Sequence, residues 1–256
     1  MKKLELTPLA DIPLIQPGDN LAKITVEALS QQGIELLDGD ILVFAQKIVS
    51  KAENRLVYLP EVHPSDQAIK IAAEVEKDPR FIELVLRESR QVLRKRIGTI
   101  IVEHRKGFIC ANAGIDHSNV SGPYGDPDQW VLLLPEDPDR SAQQIRSEIE
   151  KQSGAKIGVL IIDSHGRAWR LGTVGVSIGL AGMPGLVDLR GEADMFGYQL
   201  RITQVAAADE LAAAASLVMG QADERTPIVH ARGFPYPLRE GRFEELLRPI
   251  ELDLFR

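Results

Sequence analysis

Apolar and polar positions along this chain repeat with two periods, and the places where the period changes mark its elements. LELTPLADIPLIQPGDN reads as a short strand and a proline-stiffened loop, with Asp19 as the expected N-cap of a helix over NLAKITVEALSQQG that Gly33 closes. Ile41 to Ala45 is unbroken and apolar, a buried strand, and the polar QKIVSKAENR follows it. Ser65 caps DQAIKIAAEVEKD, and helical spacing resumes after Pro79 through RFIELVLRESRQVLRKR. The alternation in GTIIVEHRKGFICANA, centred on Arg105-Lys106-Gly107, predicts a β-hairpin. YGDPDQW is a turn-rich loop, VLLLP a short strand, and DRSAQQIRSEIEKQSG a helix ended by Gly154. Residues 157–162 form a fully apolar run, the pattern of a strand covered on both faces. FGYQLRITQVA predicts a further strand, ADELAAAASLVMG a helix, and residues 227–231 a last strand. Hairpins mixed with helices in this order predict an α+β fold with mixed and antiparallel sheets, not a simple doubly wound parallel sheet.

Bulk properties narrow the function. A chain of 256 residues buries a sizeable core, and 44% hydrophobic with 26% charged residues is ordinary for a globular protein. A formal net charge of -7 argues against nucleic-acid binding as the main task. A phosphorylated ligand therefore needs a local basic pocket or a metal ion. Cys110 is the single cysteine, so no internal disulfide and no cysteine-based zinc site are expected. The amino-terminal stretch lacks the apolar core of a signal peptide and nothing reaches the length of a membrane span, so a cytoplasmic protein is expected.

Two aspartates, Asp116 and Asp163, each close an apolar strand and each open a polar cluster, NAGIDHSN and IIDSHG. A carboxylate there needs a hydrogen-bond partner, a countercharge or a metal. Hard cations such as magnesium or manganese take carboxylate, hydroxyl and amide oxygens, and Asp116, Asp163, Ser164 and Gln221 together offer such a set. Two separate capped turns explain the same residues. The loop VMGQADERTP reads either as a solvated helix end or as a wrap around a nucleotide and its metal. Lys47 and Lys51, four apart, read either as a solvated face or as point charges on phosphate. No P-loop, G-x-G-x-x-G, G-x-S-x-G or H-E-x-x-H motif is present. His117 and His165 each neighbour an aspartate cluster, where turn histidines serve structure more often than catalysis.

Taken in order, IPLIQPGDNL, GDILVFAQKIVSKAENR, NAGIDHSNV, IGVLIIDSHGRAWRLGTVGVSIGLAG and ADELAAAASLVMGQADERTPIVHARG resemble the coenzyme F420-0:L-glutamate ligases, or gamma-glutamyl ligases, over residues 6–233. The resemblance implies a GTP-dependent enzyme that forms an amide between L-glutamate and coenzyme F420-0 through an acyl phosphate, with gamma-linked glutamates added after the first. It implies one gamma-glutamyl ligase domain over residues 1–256, built of two intertwined parts with no fused reductase domain. It implies a homodimer, a pair of divalent ions (Mg2+ or Mn2+) and potassium as an aid. By motif, the metal ligands are Asp116, Asp163, Ser164 and Gln221. The GTP contacts are Ile12, Pro13, Leu14, Ile15, Gln46, Lys47, Lys51, Asn119, Met219, Gly220, Gln221, Ala222, Asp223, Glu224, Arg225 and Thr226. Ser164 stands where the family often has threonine, which keeps the hydroxyl; Gln46-Lys47 stand where small hydroxyl residues occur. A related ligase acting on another carboxylate, or a GTP-binding regulator that does no chemistry, fits the same motifs. The glycine-rich run from Gly172 to Gly185 has few large side chains, so other parts of the chain or a second subunit must cover it, and the resemblance points to the second.

Overall fold

The computed structural model describes residues 3–254. In chain order its strands and α-helices are β1 (Glu5–Pro8), α1 (Leu21–Gln31), β2 (Ile41–Ala45), α2 (Gln46–Ala52), β3 (Leu56–Tyr58), α3 (Asp66–Val75), α4 (Pro79–Arg87), β4 (Ser89–Arg96), β5 (Thr99–His104) and β6 (Ile109–Ala111). There follow β7 (Trp130–Leu132), α5 (Pro138–Ser153), β8 (Gly158–Gly166), β9 (Thr173–Ala181), β10 (Val187–Asp188), β11 (Gln204–Val205), α6 (Ala207–Met219) and β12 (Ile228–Arg232). The result is the α+β fold that the residue pattern predicts. The chain divides into two compact units, each assembled from several separate stretches: residues 1–52, 136–164 and 174–246, and residues 53–135, 165–173 and 247–256.

The first unit is built on a five-stranded sheet in the order β1-β12-β2-β8-β9. Its β2–β8 pair is parallel, whereas β1–β12 and β12–β2 are antiparallel. Alternate residues of the central strands, among them Ile41, Val43, Leu160, Ile162, Val229 and Ala231, share one core with Leu211, Ala212 and Ala215 of α6. The intervening residues Leu42, Phe44, Val159 and Ile161 are also fully buried, as a strand covered on both faces requires. The edge strand β9 has two of its amides taken by side chains: Ser177 N–H donates to Asp209 at 2.9 Å and Leu180 N–H to Asp139 at 2.7 Å. Acidic side chains thus occupy donors that an open edge would offer to another strand.

The glycines of β9 have a reason inside this unit. A Cβ on Gly175 would lie 2.6 Å from the Ala212 carbonyl oxygen of α6, and one on Gly179 2.5 Å from the Pro138 carbonyl carbon at the start of α5. The small side chains let two helices approach the sheet closely. Helices of the same chain cover this run, so its glycines do not call for a second subunit.

The second unit packs α3 and α4 with the three-stranded sheet β4-β5-β6 and the β3–β7 pair around a core that includes Ile71, Val75, Ile82, Val85, Ile100, Val102 and Val131. Three local readings are corrected, and the polar stretch after β2, left without an element in the residue pattern, takes one. The N-cap of α1 is Asn20, whose side chain accepts the Lys23 amide at 2.8 Å, while Asp19 accepts the Gln16 amide at 2.7 Å. The polar stretch after β2 is the short helix α2. Helical spacing after Pro79 runs only to Arg87: Ser89–Arg96 is a strand, because pairing with β5 across two bulges satisfies its backbone and Val92 packs on the core. FGYQLRITQVA contributes only Gln204–Val205 to a strand. Its remainder belongs to a hairpin arm over residues 187–205, held by bonds such as Gly191 N–H to the Leu200 carbonyl at 2.7 Å, with Met195, Phe196 and Ile202 exposed. No described helix is long and apolar enough to cross a membrane.

Candidate functional site

The register of the first sheet decides where its connecting loops emerge. Ala45 is paired with Ile162, so Gln46, which follows β2, and Asp163, where β8 runs on beyond its parallel partner to Gly166, lie side by side at the carboxyl end of the parallel pair; the strand does not stop at Asp163 as the apolar run suggested. β12 runs antiparallel to β2, with Ile228 opposite Phe44, so the loop that precedes β12 arrives at the same end. Ala45 N–H donates to the Pro227 carbonyl at 2.9 Å, fixing that arrival. β1 is antiparallel to β12 and ends with Pro8 opposite Val229, so residues 9–15 also start there; Leu9 N–H donates to the Ile228 carbonyl at 2.8 Å. The 12–15 segment, the start of α2, Asp163-Ser164 and the 219–226 loop thus share one end of one sheet. Ligands of open α/β sheets gather at the carboxyl ends of parallel strands for the same topological reason.

Within this cluster the loop closing α6 meets the end of β8. The Ser164 hydroxyl donates to the Gln221 side-chain oxygen at 2.8 Å, across 57 residues of sequence. The Asp163 carboxylate accepts the amide of the next residue, Ser164, at 2.8 Å. Thr226 ties the loop shut by donating its hydroxyl to the Met219 carbonyl at 3.0 Å. On α2, Gln46 is buried and its side-chain oxygen accepts the Ser50 hydroxyl at 2.9 Å; Lys47 and Lys51, one turn apart, are half-buried. Gly18 N–H donates to the Ala52 carbonyl at 2.8 Å, which anchors the 12–18 loop to the end of that helix. Ile15 is buried, whereas Pro13 and Leu14 are exposed.

Asp116 and Asn119 belong to the second unit. Asp116 exchanges both backbone hydrogen bonds with Leu132, at 2.9 Å each, so its position is set by an extension of the β7 strand. The turn before it holds Asn112, Ala113 and Gly114 in succession at φ +52°, +54° and +68°. Only the third is a glycine. A Cβ on Gly114 would also fall 2.6 Å from a Leu134 methyl, so the turn is fixed both by conformation and by packing. His117 bonds through Nε2 to the Asp128 carbonyl at 2.8 Å, a structural role.

Among the described residues no three His, Cys, Asp or Glu side chains gather in a way that could hold a metal. Any such ion here needs neutral oxygens as well, and Ser164 Oγ with Gln221 Oε1 provides them. In this structure the two oxygens bond each other, the Ser164 hydroxyl donating to the Gln221 side-chain oxygen at 2.8 Å. With the carboxylate of Asp163 they are the oxygen chemistry that a magnesium- or manganese-type ion takes.

The second unit also contains a buried group that the sequence reading passed over. His104 accepts the Lys106 amide at 3.1 Å on Nδ1, so the proton sits on Nε2, which has no hydrogen-bond partner; Glu88 lies 3.8 Å away. Burial, with Arg105 and Lys106 nearby, pushes its pKa down to about 4. Its ring stacks on Phe108, which in turn packs on His165. The sequence signal was available: a histidine at an inward position of a hairpin strand.

Comparison with known proteins follows the same lines. The family model described as F420-0:Gamma-glutamyl ligase matches residues 10–233. The chain is 47% identical over 255 residues to a protein named Coenzyme F420:L-glutamate ligase from Methanothermobacter thermautotrophicus, covering 99% of both chains. It is 44% identical to the protein of that name from Methanopyrus kandleri, covering 99% of this chain and 98% of the relative. It is 40% identical to the one from Methanocaldococcus jannaschii, covering 100% and 98%.

Proposed function

Because the chain belongs to the F420-0:gamma-glutamyl ligase family, we propose that it uses GTP to join L-glutamate to the terminal carboxylate of coenzyme F420-0 and then adds gamma-linked glutamates. The observation that supports this reading best is the convergence, at one end of the first sheet, of four segments far apart in sequence. They offer what a nucleotide triphosphate needs: backbone amides from the 219–226 loop, two ammonium groups on α2 and an oxygen donor set for its metal.

Hydroxide is a poor leaving group, so a free carboxylate does not acylate an amine at neutral pH. A carboxylate oxygen of the precursor attacks the γ-phosphorus of GTP, the bond to the bridging oxygen breaks, and GDP leaves. The amine of glutamate then attacks the carbonyl carbon of the acyl phosphate, the bond to the phosphate oxygen breaks, and the amine gives up a proton. Lys47 and Lys51 act as point charges on phosphate oxygens. Asp163, Ser164 and Gln221 would hold a divalent ion, a ligand set to which the family resemblance adds Asp116. When bound, that ion neutralises phosphate charge and aligns the reacting groups. The chain contributes positioning and charge, with no covalent nucleophile of its own.

Phosphate release from GTP, measured with and without F420-0 and glutamate and followed by mass spectrometry of the coenzyme, tests the reading. Release is expected only with both acceptors present, together with a glutamate mass increment, and more slowly with ATP in place of GTP. Phosphate release without a mass increment, or nucleotide binding with no turnover, would overturn it in favour of another acceptor or a regulator.

A further inference from the structure

The strands β8 and β9 are neighbours in the first sheet and are joined by residues 167–172. This loop presents Trp169 and Leu171 to solvent, 88% and 98% exposed, beside the exposed Arg167 and Arg170. Trp169 has φ +64°. A bulky residue in that conformation is a backbone outlier, and such strain persists only where the surrounding structure holds it. Two holds are visible. Arg167 Nη1 donates to the Gly172 carbonyl at 3.2 Å across the neck of the loop, and the His165 ring before it packs on Phe108 with centroids 5.5 Å apart. Folding gains nothing from an exposed indole, since burial of apolar surface is what stabilises. The other tryptophan, Trp130, shows the ordinary arrangement: it is buried and donates its indole N–H to the Tyr124 carbonyl at 2.8 Å.

We propose that this loop recognises the acceptor: Trp169 stacks on the flat ring of the coenzyme and Arg170 pairs with its anionic tail. The inference rests on the reading of the chain as a ligase for F420-0 and assigns residues to that substrate. Three observations select this occupant. The exposed side chain is a large aromatic face, F420-0 carries a deazaflavin ring, and stacking holds such rings to proteins without needing a deep pocket. Arg170, with Arg167 beside it, puts local positive charge in a chain of net charge -7, and guanidinium groups suit both the phosphodiester and the carboxylate of the coenzyme. The chain length fits as well. A ribityl chain, a phosphodiester and a lactyl group separate the ring from the reacting carboxylate, so the ring has to be held away from the centre of phosphate transfer. Trp169 follows Ser164 by five residues, at most about 17 Å of extended chain.

The test titrates the full chain, wild type and the variants Trp169→Ala, Trp169→Phe and Arg170→Ala, with F420-0, read by the polarisation of the coenzyme's own fluorescence. Steady-state KM values for F420-0 and GTP, sedimentation velocity and thermal melting accompany it. Trp169→Ala is expected to bind F420-0 about 5- to 100-fold more weakly, the size of a lost base–aromatic stack. Its KM for F420-0 rises accordingly, while its KM for GTP and its melting temperature stay near those of wild type. Trp169→Phe keeps a ring and recovers most of the loss. Arg170→Ala is expected to weaken binding by up to about fivefold and to flatten its dependence on salt. Wild-type affinity for F420-0 in Trp169→Ala overturns this proposal alone, as does an equal rise in both KM values, the mark of a loop that merely organises the site. A lower sedimenting mass for Trp169→Ala assigns the loop to a second copy of the chain and overturns it too. Failure of the wild type to bind F420-0 overturns both this proposal and the ligase reading.

Discussion

Ser164 and Asp163 carry the metal reading at the residue scale, because each can be altered by a few atoms. Asp163→Asn keeps size and removes charge, so turnover with Mg2+ or Mn2+ is expected to fall by at least about 100-fold, since loss of groups merely supporting a ligand costs 10- to 100-fold. Ser164→Thr retains the hydroxyl that meets Gln221 and is expected to stay active, whereas Ser164→Ala is expected to lose Mn2+ affinity. Circular dichroism and Mn2+ titration by electron paramagnetic resonance separate loss of metal from loss of fold; normal Mn2+ binding by Asp163→Asn would remove it from the ligand set. His104 gives a prediction of a different kind. Its folded pKa of about 4 lies below the ordinary value of 6.5, so the unfolded chain takes up the proton first as pH falls. Its contribution to stability is intact above about pH 6.5 and is lost progressively down to about pH 4, by up to about 3 kcal/mol. Protonation would place hydrogen on Nδ1 where the Lys106 amide already points. Urea melts of His104→Gln between pH 7 and 4 should show a flatter profile than wild type; parallel profiles would contradict the assignment.

Glycines and caps decide which elements can meet, and their effects appear in packing. Gly179→Ala drives a methyl into Pro138 at 2.4 Å, where α5 begins. Overpacking of this sort costs about 1–3 kcal/mol, expected as a lower urea midpoint at unchanged slope. The effect should appear at any protein concentration, because the contact lies within one chain. Asn20→Ala removes the side chain that caps α1 and is expected to cost about 1 kcal/mol. Asp19→Ala should cost less, since it holds only the Gln16 amide of the preceding loop.

For the whole molecule, the apolar surface left open to a second copy lies on the arm over residues 187–205 and not on β9. A two-stranded hairpin is marginal in water without a core to rest on, yet this one carries Met195, Phe196 and Ile202 on its surface. If two copies associate through that apolar surface, the melting temperature rises with protein concentration. Phe196→Ser is expected to lower the sedimenting mass and abolish that dependence; an active wild-type monomer at all concentrations would refute the dimer.

The residue pattern by itself determined much of this protein. Unbroken apolar runs marked the buried strands β2 and β8, helical spacing marked α1, α3, α5 and α6, and Asp116 and Asp163 at the ends of apolar runs stood out because a carboxylate is costly beside buried strands. These are local properties, set by side-chain period and solvation. What the sequence read wrongly was also local in form but decided at a distance. RESRQVLRKR has helical spacing and forms a strand because β5 offers it hydrogen bonds; FGYQLRITQVA alternates like a strand and becomes an arm because its neighbours leave its apolar side chains uncovered. The glycines of β9 admit α5 and α6, which no period in the sequence announces. Tertiary structure alone brought Gln221 to Ser164 and gathered four loops at one sheet end. Each depends on the direction in which a strand runs and on its register with a partner far along the chain, and neither is encoded in the spacing of residues within the strand.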